Sequence, residues 1–327
     1  MSTSPKVSIL VPIYGVEKYI ERCAISLFEQ SYDNIEYIFV NDCTKDRSID
    51  ILQSVIARYP NRRDAVRIIK HECNRGLAAT RNTAVAAATG DFIMHVDSDD
   101  WIEVKTVESC IEVQKRNNAD IVTYGLVEHY SPERNKKRMI PNKNVDSFAI
   151  EILKGNTYPV IWNKLIRKSL YIDYHIACLD GINMGEDLQV TPLLCYNAKR
   201  IEVIHDCFYH YNLENVGAYT KSFSAEKVEQ TWATLLHLTR YFSDKGKNYN
   251  NAVSIARLNF LARSLLSCVR AGDKACFIWL KSKLSSENRK EFSNITCLYR
   301  ASFYIKNYHL LRTYSIVMQL LKRLVCN

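Results

Sequence analysis

The sequence predicts an α/β protein with a largely parallel sheet flanked by helices and a helical extension at its C-terminal end. Over the first 125 residues, short apolar β-rich runs alternate with segments of helical spacing. This alternation is typical of parallel strands joined by right-handed helical crossovers. From about Ser224 onward the apolar residues recur at helical spacing only. We therefore expect an α/β domain at residues 1–220 and a helical extension at residues 221–327.

Each predicted strand of the N-terminal part is an apolar, mostly β-branched or aromatic run. The five strands are Val7–Val11, Tyr37–Val40, Val66–Ile69, Phe92–Val96 and Ile121–Tyr124. The helices predicted between them begin near Ile20, Ile49, Gly76 and Val104. Pro132, Pro141 and a group of basic residues then predict an exposed loop over residues 131–144.

Composition narrows the class of protein. The chain has 327 residues, of which 47% are hydrophobic, enough for a packed core. Its formal charge of +9 suits phosphate-rich ligands, nucleic acid or an anionic membrane surface, without choosing among them. The 11 cysteines are scattered and form no C-x-x-C pair, so we predict reduced cysteines rather than a zinc site. Without a signal-peptide pattern or a run of about 18 apolar residues, a cytoplasmic protein without a spanning helix is expected.

Polar side chains follow three of the predicted strands where each strand ends. Tyr14 follows the first strand and Asp42 the second, and Asp97, Asp99 and Asp100 follow the fourth. Ligands of open parallel sheets bind at this edge. Three carboxylates directly after a buried strand need compensation, and a divalent cation with oxygen ligands supplies it. The sequence therefore predicts a Mg²⁺ or Mn²⁺ site that holds a diphosphate.

Several of these residues also have structural interpretations, which remain open at this point. Tyr14 either stacks on a base or is an ordinary aromatic residue at a strand end. Asp42 either accepts the imide N–H of a uracil or forms a turn. Asp97 and Asp99 alternate by two and so point the same way, either toward a ribose and a metal or as caps of the next helix. Arg81 either reaches the same edge or is a solvated surface residue.

The middle of the chain offers a candidate base and a candidate sugar-binding segment. Glu186 and Asp187 are adjacent acids, and a transferase that activates a hydroxyl needs a carboxylate beyond the metal set. Trp162, with Lys164 close by, suits the binding of a sugar ring, although a core tryptophan is an equal interpretation. We place Trp162, Lys164 and Glu186 on the acceptor side.

Taken together, these motifs resemble those of the family 2 glycosyltransferases. The resemblance covers about residues 6–215 and rests on the order and spacing of the motifs. Its segments are Val11–Tyr14, Val40–Asp46, Asn74–Gly76, Ala79–Asn82 and Asp97–Asp100, followed by Trp162–Leu165, Gly185–Leu188 and Tyr209–Tyr211. The last three look like those of bacterial members that build capsules, O-antigens and other surface glycans. The resemblance implies a GT-A fold, a nucleotide-sugar donor, often a UDP-sugar, and inversion at the transferred sugar.

The resemblance also implies roles for single residues. Pro12, Tyr14 and Glu17 would border the nucleotide, Asp42 would read the uracil, and Arg81 would support the base or ribose side. Asp97 would face the ribose and sugar, Asp99 would bind the metal with Asp100 as a less certain partner, and Asp187 would be the base beside Glu186. Three positions depart from the family pattern. Gly15 replaces Asn, Asn41 replaces Asp, and Cys43 replaces Gly.

The predicted function is transfer of a sugar to a hydroxyl of a glycan or a lipid-linked glycan. A sugar nucleotidyltransferase is an alternative, but residues 11–15 lack a glycine-rich cradle for a triphosphate. A non-catalytic scaffold of the same fold is the second alternative, and the intact acids argue against it. A nucleic-acid binder is disfavoured because no basic-aromatic stripe accompanies the positive charge.

The last 30 residues are basic and strongly apolar. No Asp or Glu occurs after Glu291, whereas Arg300, Lys306, Arg312, Lys322 and Arg323 do. Such a helix either lies on an anionic membrane, as peripheral contact through residues 298–325 at the inner face of the cell membrane, or packs on its own domain or a partner subunit. The sequence leaves these possibilities open.

Overall fold

The computed structural model describes residues 4–131, 134–140, 145–215 and 222–326. Contacts divide the chain into two compact units, one of Met1–Ala149 with Thr157–Gly217, and the other of Ile150–Asn156 with Ala218–Asn327. The predicted boundary at 220 and 221 lies outside the described residues. The short segment 150–156 groups with the C-terminal residues, which the sequence did not indicate.

The first unit is built around one sheet that contains nine strands in the described residues. The strands are β1 (Val7–Ile13), β2 (Ile35–Asn41), β3 (Val66–Lys70), β4 (Phe92–His95), β5 (Trp101–Ile102), β6 (Ile121–Ser131), β7 (Arg134–Arg138), β8 (Lys164–Arg167) and β9 (Ile201–Asn212). Their order is β3-β2-β1-β4-β8-β6-β9-β5, and β7 pairs with β6. The five predicted strands are all present.

Parallel pairing dominates the N-terminal half of this sheet. Strand β1 pairs in parallel with β2 and β4, and β2 pairs in parallel with β3. Beyond β4 the sheet is mixed, because β8 is antiparallel to both β4 and β6, whereas β9 runs parallel to β6. The carboxyl ends of β1, β2 and β4 therefore meet at one edge, as the sequence predicted.

One predicted loop is partly a strand. Residues 134–138 form β7, which pairs antiparallel with the end of β6, although residues 132, 133 and 141–144 of this predicted loop lie outside the described residues. Arg134, Asn135, Lys136 and Lys137 are exposed. A lysine-rich edge strand needs no apolar face and discourages pairing with other chains. The predicted exposure is confirmed for these four residues. The prediction of a loop was wrong for residues 134–138, because the basic residues that indicated it also suit an exposed edge strand.

Helices cover the sheet and complete the first unit, and the helix that begins at Val145 continues into the segment 150–156 of the second unit. They are α1 (Ile20–Phe28), α2 (Ser48–Arg58), α3 (Pro60–Arg63), α4 (Leu77–Ala87), α5 (Thr106–Asn117), α6 (Val145–Lys154), α7 (Ser169–Asp173) and α8 (Glu186–Asn197). An apolar cluster joins the buried side chains of β1 and β2 to those of α1, with Ile9, Phe39 and Leu27 fully buried. Burial of such side chains stabilises the unit by about 1.5–3 kcal/mol each.

The second unit is helical, as predicted for the C-terminal residues. Its helices are α9 (Ala225–Phe242), α10 (Lys247–Ala271), α11 (Lys274–Ser285), α12 (Cys297–Tyr304) and α13 (Tyr308–Cys326), with a 3₁₀ helix at Arg289–Asn294. Helix α10 is central and packs against α9, α11 and α13. Among the described residues, α10 alone is long and apolar enough to cross a membrane by length and composition. Half of that apolar stretch is buried by its neighbours, as in the core helix of a globular unit.

Candidate active site

The first wall of the site follows β1. Tyr14 is 54% exposed, and the next residue, Gly15, has a positive φ of 68° that favours glycine. The Gly15 N–H donates to Thr44 Oγ1 at 2.9 Å, and the Glu17 carboxylate accepts from the Arg47 N–H at 3.1 Å. These bonds tie the turn after β1 to the turn after β2, and Tyr14 remains free to contact a ligand.

Asp42, after β2, is buried and holds a neighbouring turn in place. Its carboxylate accepts from His71 Nδ1 at 2.7 Å, and from the backbone N–H groups of Arg75 and Gly76 at 2.8 Å each. Both oxygens are therefore engaged before any nucleotide binds. A uracil N–H would have to share an oxygen that already accepts hydrogen bonds.

The acids after β4 differ in exposure. Asp97 has 24% of its side chain exposed, and its Oδ1 accepts from Arg81 Nη2 at 3.0 Å. Asp99 is partly exposed and its Oδ2 accepts from Asn215 Nδ2 at 2.8 Å. Burial, followed by the nearby charge of Asp97, raises the pKa of Asp99. A cation bound at Asp99 would counteract this effect and stabilise the ionised carboxylate.

Asp100 faces the interior instead. It is fully buried, with Oδ1 accepting from the Asn212 N–H at 2.7 Å and Oδ2 from the Tyr209 hydroxyl at 2.8 Å. Burial, with the charges of Asp99 and Asp97, raises its pKa well above the usual range. The less certain metal role considered for Asp100 does not fit, because both oxygens are used to anchor β9.

The residues after β4 suit a cation only with help from a ligand. The described residues contain no group of three or more His, Cys, Asp or Glu side chains placed to hold a metal. A Mg²⁺ or Mn²⁺ ion shared with a diphosphate needs only one or two protein carboxylates, because phosphate oxygens and water complete its coordination. Asp99, with Asp97 beside it, meets that requirement.

Arg81 lies at the centre of a cluster of three carboxylates. It is 3% exposed, and its Nη2 lies 3.0 Å from Asp97 Oδ1, 3.4 Å from Glu186 Oε1 and 3.5 Å from Asp187 Oδ1. A single guanidinium thus faces up to three negative charges. Arg81 joins the acids after β4 to the start of α8 and is buried, so the interpretation as a solvated surface residue is wrong. Its support of the base or ribose side stays a prediction.

Asp187 and Glu186 both have pKa values above those of ordinary carboxyl groups. Burial raises the pKa of Asp187, and Asp97 raises it further, against the lowering effect of Arg81. Burial, then the charge of Asp187, raises the pKa of Glu186. Asp187 Oδ1 is buried without a hydrogen-bond donor among the described residues. An acid with a raised pKa and an unused oxygen is suited to accept a proton near neutral pH.

Two residues predicted on the acceptor side are buried. Trp162 is 4% exposed and stacks on Tyr209 with ring centroids 4.0 Å apart. Lys164 is 2% exposed, and its Nζ donates to Val160 O at 2.7 Å and Asn163 Oδ1 at 2.6 Å. Burial lowers the pKa of Lys164 to about 8. Both side chains are thus buried, in line with the interpretation of Trp162 as a core residue, and their acceptor-side role stays a prediction.

Sequence reasoning missed two residues that shape the site. Asn183 Oδ1 accepts from the Ala78 N–H at 3.0 Å, and a Cβ at Gly76 would lie 2.3 Å from the Asn183 side chain. The Tyr209 hydroxyl accepts from the Asp97 N–H at 3.1 Å while it donates to Asp100. Of the two, only Tyr209 could have been found from the sequence, because it belongs to the segment Tyr209–Tyr211 that resembles the family.

Comparison with known proteins agrees with this architecture. The sequence model described as Glycosyl transferase family 2 matches residues 8–181. The uncharacterized glycosyltransferase EpsJ of Bacillus subtilis is 29% identical over 254 residues, which cover 76% of this chain and 70% of EpsJ. TarS of Staphylococcus aureus, a poly(ribitol-phosphate) beta-N-acetylglucosaminyltransferase, is 27% identical over 223 residues, or 66% of this chain and 37% of TarS.

A solved structure also shares the fold. Residues 1–349 of S. aureus TarS, in complex with UDP-GlcNAc, superpose with a TM-score of 0.74 at 20% identity, covering 96% of this chain and 92% of that one. The alternating β1–β4 region, the acids after β4 and the α8 carboxylates define a nucleotide-sugar-dependent transferase of the GT-A class. The chain belongs to glycosyltransferase family 2, and it is a glycosyltransferase that uses a nucleotide sugar.

Proposed function

We propose that the enzyme transfers a sugar from a UDP-sugar to a hydroxyl of a glycan or lipid-linked glycan, with inversion at the anomeric carbon. The observation that carries this proposal is Asp187, a buried carboxylate beside the acids that follow β4. Its Oδ1 accepts no hydrogen bond in the described residues and lies 3.5 Å from Arg81 Nη2. The solved TarS complexes with UDP-GlcNAc and with UDP support a uridine nucleotide.

The residues at the carboxyl ends of β1, β2 and β4 contact different parts of the nucleotide sugar. Exposed Tyr14 stacks on the base, with Pro12 and Glu17 at the border of the nucleotide. Asp42 fixes the turn at residues 74–76 and presents an already engaged carboxylate to the uracil. Asp97 faces the ribose and sugar, and Arg81 holds its orientation.

Asp99 would hold Mn²⁺ or Mg²⁺ together with the diphosphate, with Asp97 beside it. When bound, such a cation neutralises charge on the leaving diphosphate as a Lewis acid. Asn215 fixes one Asp99 oxygen and so orients the side chain. Asp100 keeps β9 against this loop and takes no part in binding the ion.

Asp187 acts as the general base. It takes the proton of the acceptor hydroxyl while the hydroxyl oxygen bonds to the anomeric carbon and the bond from that carbon to the diphosphate oxygen breaks. A single displacement of this kind inverts the anomeric centre. Arg81 keeps Asp187 ionised and in place, because its positive charge lowers the pKa that burial raises. Glu186 shares the guanidinium and sets the local charge.

The acceptor is proposed to belong to a bacterial surface polysaccharide, which is supported by relatives that act on poly(ribitol-phosphate). We further propose peripheral contact with the inner face of the cell membrane through residues 298–325. Leu310, Ile316, Val317 and Leu320 are exposed on α13, although side chains 298 and 321–325 lie outside the described residues. Co-sedimentation with phosphatidylglycerol vesicles, and not with phosphatidylcholine vesicles, is expected; no sedimentation with either would refute the contact.

Calorimetric titration tests the donor and the metal together. UDP with Mn²⁺ is expected to bind more tightly than GDP or dTDP with Mn²⁺, and chelation of the metal is expected to weaken UDP binding. Asp99→Ala should remove the metal-dependent part, whereas Asp206→Ala, at an exposed position on β9, should leave it intact. Equal binding of UDP with and without metal to the unaltered protein would sink the metal role, and preference for GDP would overturn the uridine assignment.

A further inference from the structure

Tyr209 bridges the two ends of the turn that carries the acids after β4, which we call the acidic turn (residues 97–100). Within this turn the Asp100 N–H donates to the Asp97 carbonyl oxygen at 3.0 Å, as in a β-turn. The Asp97 N–H donates to the Tyr209 hydroxyl at 3.1 Å, and the same hydroxyl donates to Asp100 Oδ2 at 2.8 Å. One oxygen atom on β9 therefore holds both the first and the last residue of the turn.

The position of this hydroxyl is itself fixed. Tyr209 is fully buried, and its backbone pairs with Ile102 of β5 on one side and with Leu126 of β6 on the other. Its ring stacks on Trp162, with centroids 4.0 Å apart and an angle of 23° between the planes. Trp162 is also buried, so neither ring has room to follow a displaced turn. The sheet and the stacked rings thus give the acidic turn a rigid support.

The two ends of the acidic turn depend on Tyr209 to different degrees. Asp100 keeps a second donor, because its Oδ1 accepts from the Asn212 N–H at 2.7 Å. The Asp97 N–H has no acceptor other than the Tyr209 hydroxyl in the part of the chain that the structure describes. A backbone N–H that loses its partner is costly unless it moves to meet water or another acceptor. Loss of the hydroxyl should therefore release the turn at Asp97.

We propose that Tyr209 is a positioning residue of the transfer reaction, whose hydroxyl fixes the acidic turn in the geometry that Asp97 and Asp99 need to bind the nucleotide sugar. This inference rests on the roles that the proposed function gives those two carboxylates. Tyr209 is buried and acts only through the turn. Displacement of a binding group by about 1 Å can cost on the order of 100-fold in rate, and Mg²⁺ demands near-octahedral ligand geometry. A turn held at both ends supplies that precision.

Another buried tyrosine provides a matched control. Tyr37 is fully buried in the cluster of β1, β2 and α1, and its hydroxyl donates to Leu27 O at 3.1 Å. Tyr37→Phe and Tyr209→Phe each keep the ring and remove one buried hydroxyl. If Tyr209 served only packing and stability, the two variants would differ in urea unfolding alone. A positioning role instead predicts differences at the acidic turn and in donor binding.

Hydrogen exchange of the full chain, followed by mass spectrometry, tests the contact with the turn. In Tyr209→Phe the amides of the acidic turn are expected to exchange about five- to tenfold faster than in the unaltered protein, in line with the loss of one hydrogen bond. Tyr37→Phe should leave their exchange unchanged, and circular dichroism shows that both variants are folded. Equal exchange at residues 97–100 in the two variants overturns the proposal.

Calorimetric titration with UDP and Mn²⁺ tests the consequence for the donor. Tyr209→Phe is expected to weaken UDP binding at least about tenfold, whereas Tyr37→Phe should leave it unchanged. In the Asp99→Ala background, Tyr209→Phe should weaken binding by less than about threefold, because the two residues act through the same turn and their effects are not additive. Unchanged UDP affinity in Tyr209→Phe, or the same fold-loss in both backgrounds, overturns the proposal.

A failure of the proposed function would appear in the unaltered protein. Absence of UDP binding there, with or without Mn²⁺, would refute the donor assignment. Hydrogen exchange requires no nucleotide, so it would still decide whether the Tyr209 hydroxyl holds the acidic turn.

Discussion

Buried carboxylates lie at both ends of the parallel strands, and their pKa values are shifted in opposite directions at the two ends. Near the start of β2, Glu36 accepts from Ser8 Oγ at 2.5 Å, from Thr89 at 2.6 Å through N–H and 2.8 Å through Oγ1, and from Lys6 Nζ at 3.0 Å. Burial would raise the pKa of Glu36, but these bonds outweigh it and lower the pKa to about 2. At the other end, Asp187 and Glu186 share one guanidinium and their pKa values are raised.

The difference shows what distinguishes a carboxylate that stabilises the fold from one that is suited to take part in the reaction. Glu36 is ionised at any ordinary pH and its lone pairs are in use, so it closes the gap between β1, β2 and the turn before β4. Asp187 Oδ1 accepts no hydrogen bond in the described residues and has only the longer ion pair with Arg81 Nη2 at 3.5 Å, which leaves this oxygen for a substrate proton. The number of hydrogen-bond donors, rather than burial itself, distinguishes the two ends.

The largest effect is expected from removing the charge of Asp187, at the end of the strands where the carboxylates have few hydrogen-bond donors. Asp187→Asn removes the base while it preserves shape, so kcat is expected to fall about 10³-fold, within the range of general base catalysis. UDP affinity should change little, because Asp187 lies outside the donor-binding residues. Steady-state kinetics and UDP calorimetry make the measurement, with Asp206→Asn as the matched exposed control. Turnover near that of the unaltered enzyme would show that another group takes the proton.

The pH dependence of kcat, which depends on the pKa of Asp187, gives the second test. The pKa of Asp187 is raised to about 6 by burial, then Asp97, with Arg81 lowering it. The base works only when deprotonated, so kcat should rise with pH and level off above about 6. Arg81→Gln removes the lowering charge and should move this limb toward higher pH by about one unit. Arg81→Lys keeps a charge and should move it less; an unmoved limb in Arg81→Gln contradicts the electrostatic role.

The strand-end acids were predictable from sequence, but their partners were not. Asp42, Asp97 and Asp99 each follow an apolar run, so the parallel sheet brings them to one edge by geometry alone. Arg81 contacts Glu186, which lies 105 residues further along the chain, and no spacing rule links such positions. The sequence could not decide between a sugar-binding and a core role for Trp162 and did not predict the burial of Lys164, because the antiparallel insertion of β8 has no local signature.

Removal of the charge of Glu36, which accepts several hydrogen bonds, should affect the stability of the protein and not its turnover. Because Glu36 has its folded pKa lowered from 4.5 to about 2, its contribution is fully present above pH 4.5 and is lost as the pH falls toward 2. That contribution is on the order of 3 kcal/mol. Glu36→Gln should therefore lower the free energy of unfolding at pH 7 and lessen its loss between pH 4.5 and 2, as followed by urea unfolding. The exposed control Glu72→Gln should do neither.

The smallest effect is expected from removing one donor and leaving the others. The Ser8 hydroxyl donates to Glu36 and accepts from the Gly90 N–H at 2.9 Å, while that N–H also lies 3.1 Å from Glu36 Oε1. Ser8→Ala should thus cost about 1 kcal/mol of unfolding free energy, because the Gly90 N–H keeps a partner. The pKa of Glu36 should rise, so acid unfolding should begin at higher pH than in the unaltered protein. Ser54→Ala removes an exposed helix hydroxyl and serves as the control. If Ser8→Ala and Ser54→Ala unfold alike in acid, then the donors from Lys6, Thr89 and Gly90 are enough to hold Glu36 ionised without Ser8.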